Sequence, residues 1–385
     1  MELKGIDVFS GQAIRIEVEQ ETIAGVERIP GGKGLPYLAP GFIDIQVNGY
    51  RGSDYSGVDF GMEQLESIVA DLAVSGTTRH FPTIITAPHE RILKNLSLIA
   101  EAVGASAELR EAIPGIHLEG PYISAENGPR GAHDPEFVRD PDWEEFSDWQ
   151  EAARGLIRLI TLAPERPGAV EFIRRVVASG ARVALGHTAA EAETIGKAVR
   201  AGASLSTHLG NGSHGLIPRL KNYIWEQLAC DDLQASIITD GFHLPNSVIK
   251  TFWRTKGKGR VILTSDVAVM GGKATGVYKW GGVDVEVFAD GHLGLSGTQY
   301  LAGAAYLFDW DIPRCIVATG CSLSEAIAAC TVNPARYFSL PESFTCLEAG
   351  SHAHLVLFRW RLGDKRLRIE QTIRGGRTIY SSLAR

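Results

Sequence analysis

The chain has 385 residues, 44% of them hydrophobic and 22% charged, enough to bury a large core. Its formal charge of −7 argues against a nucleic-acid-binding surface or a polybasic membrane patch. No run of about 18 apolar residues is present for a bilayer-spanning helix, and the opening MELKGIDVFSG lacks the apolar stretch of a secretory signal. Cys230, Cys315, Cys321, Cys330 and Cys346 are odd in number and unpaired in spacing, which predicts free thiols and a cytoplasmic protein.

Residues 1–40 alternate polar and apolar over Ala13–Val18 and end in the loop Pro30–Gly34, predicting a small antiparallel β unit. From Pro40 onward, short apolar runs alternate with amphipathic stretches. The runs are Phe42–Val47, Thr78–Ile85, Gly115–Leu118, Ile157–Leu162, Val183–Leu185, Ser204–Thr207, Ser236–Thr239 and Val261–Thr264. Helices are expected between them at Met62–Val74, Glu90–Val103, Ala169–Ser179, Glu191–Ala201 and Asn246–Lys256, then near Ala302–Thr319 and Ser324–Cys330. The tail after Ser351 returns to strand-like runs. Eight strands with intervening helices predict an α/β fold, a (β/α)₈ TIM-type barrel, with an open doubly wound sheet as the alternative. Both termini then form one small β-sandwich domain, residues 1–40 and 341–385, around a barrel domain of residues 41–340.

Polar residues fall where the runs end. The first run carries Gln46 and leads to Asn48; the third leads to Glu119, the fifth to His187, the sixth to His208, the seventh to Asp240 and His243, and the eighth to Asp266. In a barrel these ends share one face, which holds the active site. Glu119, His187 and His208 supply a carboxylate and two imidazoles, a ligand set for one divalent ion with an open position. Asp266, across the mouth, is suited to act as general base and then acid. His117, within a run, reads as core; His80, His89, His292, His352 and His354 read as surface or structural.

The segments Pro40–Ile45, Gly115–Pro121, Gly186-His187-Thr188, Thr207-His208-Leu209, Asp240–His243 and Ser265-Asp266 occur in an order that resembles the N-acetylglucosamine-6-phosphate deacetylase family of the amidohydrolase superfamily. The resemblance implies a cytoplasmic, homodimeric hydrolase that releases acetate from an N-acetylated amino-sugar phosphate. It implies Glu119, His187 and His208 as ligands of one divalent metal per subunit (Zn²⁺ first, with Fe²⁺, Co²⁺ or Mn²⁺ compatible) and Asp266 as the catalytic carboxyl. Gln46 and Asn48 stand where many superfamily members carry the His-x-His of a second metal. Substrate contacts are implied at His133, Asn211, Gly212, Arg219, His243, Leu301, Ala302 and Gly303. His133 is expected near the acetamide carbonyl and Arg219, eleven residues after His208, on the phosphate. The chain departs from the family pattern at Gly210, at Gly212–His214, in the bulky Asn222–Gln227 segment and in a longer loop before His133. All bear on the sugar and phosphate end. The alternatives are another N-acetylhexosamine, unphosphorylated or of the galactosamine type, an N-acyl amino acid, or a barrel without activity.

Overall fold

The computed structural model describes residues 1–280, 283–298 and 300–382. Eight parallel strands lie in ladder order: Phe42–Val47, Thr77–Ile85, Ile116–Glu119, Ile157–Leu162, Arg182–Leu185, Leu205–Ser206, Gln234–Ile237 and Val261–Leu263. The first and last meet just above their ends, where Val47 bridges Val267 and the Asn48 N–H donates to the Val267 carbonyl at 2.9 Å. The sheet thus closes into the expected (β/α)₈ barrel. Its strands are apolar on both sides because both sides are covered; all six residues of the first are buried.

The helices follow from amphipathic spacing. Ala169–Ala178 buries Phe172, Ile173 and Val176, and each such side chain contributes roughly 1.5–3 kcal/mol. Asp142 caps the helix Trp143–Ala152 by accepting from the Glu144 and Glu145 N–H groups. The lower end of the barrel is plugged by Ala335, Tyr337 and Phe338, which pack with Ile43, Phe81, Leu159 and Ile262.

Both termini join one seven-stranded sheet. In spatial order its strands are Arg377–Ser381, Arg368–Arg374, Leu355–Arg359, Tyr37–Pro40, Glu2–Asp7, Ala13–Glu19 and Thr22–Arg28. The sheet curls until its ends approach, since Thr22 bridges His352 and Ile16 shares a core with Leu355 and Ile373. This is the small β-sandwich built from both ends of the chain.

Two local expectations change. The helix expected near Ala302–Thr319 spans only Phe308–Thr319, because Ala304 is taken up by a parallel bridge to Val267. Between barrel and helix lies an unanticipated antiparallel sheet of Gly276–Trp280, Val283–Val287 and Leu293–Leu295, which overhangs the barrel mouth.

Candidate active site

The strand ends converge as the sequence spacing requires. Glu119 Oε1 lies 3.1 Å from His187 Nε2 and 2.9 Å from His208 Nε2, and the two imidazole nitrogens are 3.1 Å apart. All three side chains are buried. The second ring nitrogen of His187 donates to the Pro129 carbonyl at 2.8 Å, which leaves the Nε2 lone pair facing the cluster. Three atoms of this kind about 3 Å apart cannot all be satisfied by hydrogen bonds to one another. They fit ligands spaced around a cation held by bonds of about 2.0–2.2 Å.

Asp266 faces the cluster from the eighth strand. Its Oδ1 accepts from the Gln46 and Asn48 side-chain amides, each at 2.8 Å, and Gln46 also donates to Glu119 Oε1 at 3.0 Å. Burial, and then the neighbouring Glu119 charge, pushes the Asp266 carboxyl up to about 6. Burial works the same way on Glu119, but the adjacent His187 and His208 imidazoles outweigh it and hold that carboxyl well below the carboxylate range. Gln46 Oε1 and Asn48 Oδ1 are buried without partners, while both amide nitrogens point at carboxylates.

Backbone conformation sets this geometry. His187, His208 and Asp266 have φ of 51°, 31° and 51°, three of only seven non-glycine residues in the left-handed region among the described residues. Gly212 is required beside them, because a Cβ there would sit 2.6 Å from His187 Nδ1.

The cavity above the cluster has a volume of about 280 Å³ and is lined by His133, Asn211, Gly212, His243, Leu301 and Gly303. His133 is buried and bonded through Nδ1 to Thr86 Oγ1 at 2.8 Å; burial, then His187, lowers its pKa to about 3. One of its nitrogens lies within 4.8 Å of the ligand atoms of Glu119 and His187. His243 Nδ1 meets Asp240 Oδ2 at 2.8 Å.

Two expected contacts are not in the cavity of this chain. Ala302 is buried in the core of the overhanging sheet. Arg219 is exposed on the rim, beside the exposed Leu216, Leu220 and Trp225. No lysine or arginine lines the cavity among the described residues. Sequence reading passed over Thr86, which directly follows the strand Thr77–Ile85, and Trp280, which ends a strand of the overhanging sheet.

A second group, Glu111, His352 and His354, also brings possible ligand atoms within 4.8 Å. His354 Nδ1 accepts from the Gly375 N–H at 3.2 Å, which leaves the ring proton on Nε2, toward Glu111. That tautomer is a donor rather than a ligand, in keeping with a structural role.

Residues 37–379 match the sequence family described as the Amidohydrolase family. The chain belongs to this family. It is 32% identical over 375 residues to N-acetylglucosamine-6-phosphate deacetylase of Bos taurus, covering 94% of this chain and 87% of that protein. It is 33% identical to N-acetylgalactosamine-6-phosphate deacetylase of Shewanella sp. (strain ANA-3), covering 79% and 75%. A mutant N-acetyl-D-glucosamine-6-phosphate deacetylase from Mycobacterium smegmatis, solved with N-acetyl-D-glucosamine-6-phosphate, superposes with a TM-score of 0.88. The match spans 99% of both chains at 29% identity. Amidohydrolases are generally metal-dependent, and the cluster around Glu119 is the candidate for that metal. No helix among the described residues is long and apolar enough to cross a membrane.

Proposed function

We infer that the chain hydrolyses the acetamide of N-acetylglucosamine 6-phosphate to glucosamine 6-phosphate and acetate. The observation that carries this reading is the convergence of the Glu119 carboxylate and two imidazole Nε2 atoms opposite Asp266. The deacetylase relatives that match most of the chain support it.

Glu119, His187 and His208 would hold one divalent ion, Zn²⁺ first, with Fe²⁺, Co²⁺ or Mn²⁺ also suited to the donor set. Held by these three residues, such an ion would supply polarisation of the carbonyl and a lowered pKa for the attacking water. Asp266 takes the proton from the attacking water and delivers it to the amine as the C–N bond breaks. Gln46 and Asn48 fix Oδ1 of that carboxyl, leaving Oδ2 free for the transfer. With the Thr86 hydroxyl donating to Nδ1, His133 presents Nε2–H to the carbonyl oxygen, where negative charge develops. Asn211, Gly212, His243, Leu301 and Gly303 surround the sugar.

Arg219 is exposed and does not line the cavity of its own chain, so its phosphate contact is assigned to a second subunit. The apolar Leu216, Leu220 and Trp225 around it suit the interface of a homodimer. The same reading takes residues 1–40 and 341–385 as one domain and 41–340 as the other. Five free cysteines support a cytoplasmic location.

A second reading, the galactosamine epimer or a sugar without phosphate, is favoured by the Shewanella relative and by the lack of a lysine or arginine lining the cavity among the described residues. Acetate release is the test, measured on N-acetylglucosamine and N-acetylgalactosamine, each with and without 6-phosphate. Highest kcat/KM on the phosphorylated gluco sugar, with close to one metal per chain by elemental analysis, is expected. Two fully occupied metals would refute the single-ion reading, and no acetate from any sugar would refute the activity.

A further inference from the structure

The cavity has two chemically different walls. Asn211, Ser213, His214 and His243 form a polar wall; Ile85, Ala268, Trp280 and Leu301 form an apolar one. A hydrogen-bonded chain ties Trp280 to the barrel. The indole N–H donates to Asp54 Oδ2 at 2.8 Å, Asp54 Oδ1 accepts from the Ser56 N–H at 2.8 Å, and Ser56 Oγ accepts from the Ile85 N–H at 2.9 Å. Trp280 belongs to the overhanging sheet, so this chain is one tie, beside the packing of Val285, Val287 and Leu293 on Ala268 and Met270, between that sheet and the mouth.

A second cavity of about 440 Å³ shares Ile85, Ala132, His133 and Trp280 with the first. It continues along Val58, Ala87 and Leu295, with Arg91 and Arg130 also on its wall. The indole therefore stands where the two cavities adjoin.

We propose that Trp280 sets the length of the N-acyl group that the site accepts. The inference rests on the deacetylase reading and specifies its substrate class. An amide carbonyl carbon has three substituents. Its oxygen is directed to the Glu119–His187–His208 cluster and His133, and its nitrogen, with the sugar, to Asp266 and the polar wall. The acyl carbon is left facing the apolar wall, where Ile85 and Trp280 are held together by the chain through Ser56 and Asp54. The indole closes that end around a methyl group. Removing it opens a path for a longer chain into the second cavity.

The test compares N-acetyl-, N-propanoyl- and N-butanoylglucosamine 6-phosphate with the metal-loaded full chain, following release of the free amine. One methylene in an apolar pocket changes kcat/KM by about 10- to 200-fold, so the wild type should prefer acetyl to butanoyl by at least about 100-fold. Trp280→Ala should lower that ratio by at least about tenfold, with butanoyl turnover rising in absolute terms. Trp280→Phe should keep the wild-type ratio. If the alanine variant folds poorly, Trp280→Leu preserves the packing of the small sheet and should still relax the ratio. A ratio unchanged in the smaller variants, or a wild type that takes butanoyl as readily as acetyl, overturns the role of Trp280. Absence of turnover on every N-acyl sugar overturns the deacetylase reading instead.

Discussion

At the lower end of the barrel, Phe81 and Phe338 pack with ring centroids 4.3 Å apart, over Ile43, Leu159 and Ile262. At the upper end, Glu119, His187, His208 and Asp266 crowd together, and Gln46 Oε1, Asn48 Oδ1 and His208 Nδ1 are buried without partners. The lower end is closely packed, and its exceptions are few: Ser339 is left-handed and Arg79 Nη1 is buried without a partner. The upper end holds three side chains in the left-handed region, a conformation that costs on the order of 1–3 kcal/mol at a non-glycine residue. The contrast shows how a barrel can carry a site of unfavourable local chemistry: the eight strands that present it are fixed from below by close packing.

Substitutions at the two ends should therefore separate activity from stability. Asp266→Asn removes the proton carrier and should lower kcat by about 10²–10⁴-fold while melting temperature and metal content stay near wild type. Retention of more than about a tenth of the activity would contradict the assigned role. Phe338→Ala should do the reverse, costing about 3–5 kcal/mol of stability by urea unfolding with kcat little changed at a permissive temperature. Loss of activity in step with stability would show that the ends are not independent.

Asp44 sharpens the comparison, because it is a buried carboxyl outside the reacting group. It accepts from Thr264 Oγ1 at 2.8 Å and from the Ser265 N–H at 3.2 Å, and burial pushes its pKa from 3.8 up to about 6. Between about pH 4 and 6 the folded state binds this proton more readily than the unfolded chain does. The cost of burying the carboxylate is therefore absent near pH 4, grows as the pH rises and is complete above about 6. Asp44→Asn should stabilise the protein by up to about 3 kcal/mol at pH 8 and by nothing near pH 4. A gain independent of pH would show that this carboxyl does not titrate as stated.

The smallest effect belongs to the rim. Arg219→Ala should lower kcat/KM on the phosphorylated sugar by about 10- to 150-fold, the equivalent of about 1.5–3 kcal/mol, and leave the free sugar unchanged. Equal activity of the wild type on both sugars, with the variant neutral on each, would remove phosphate from the reading.

The barrel was legible because each strand is an apolar run ending in a polar residue. Phe42–Val47 and Ile157–Leu162 agree with the sequence reading to the residue, while Gln234–Ile237 begins two residues before the expected Ser236. The overhanging sheet was missed although Val283-Asp284-Val285-Glu286-Val287 alternates as a strand should. It lies between the eighth expected strand, Val261–Thr264, and the helix expected near Ala302–Thr319, and an inserted antiparallel sheet breaks the βα rhythm on which that reading depends. Glu119, His187, His208 and Asp266 could be picked out because chemistry demands those residue types at strand ends. Arg219 could not be placed, since a rim side chain's direction depends on its loop and on any neighbouring subunit. Nor could Trp280, whose place at the mouth depends on a hydrogen bond to Asp54, 226 residues away in sequence.

The strand Tyr37–Pro40 has the Glu2–Asp7 strand on one side and Leu355–Arg359 on the other. During synthesis the first neighbour is present almost at once, but the second lies about 315 residues downstream, some 16–63 s away at typical elongation rates. For that interval a nascent chain carries an open, partly apolar edge able to pair with another strand. The terminal sheet is thus the last part of the molecule to close, and a chain cut short before Leu355 would keep that edge permanently.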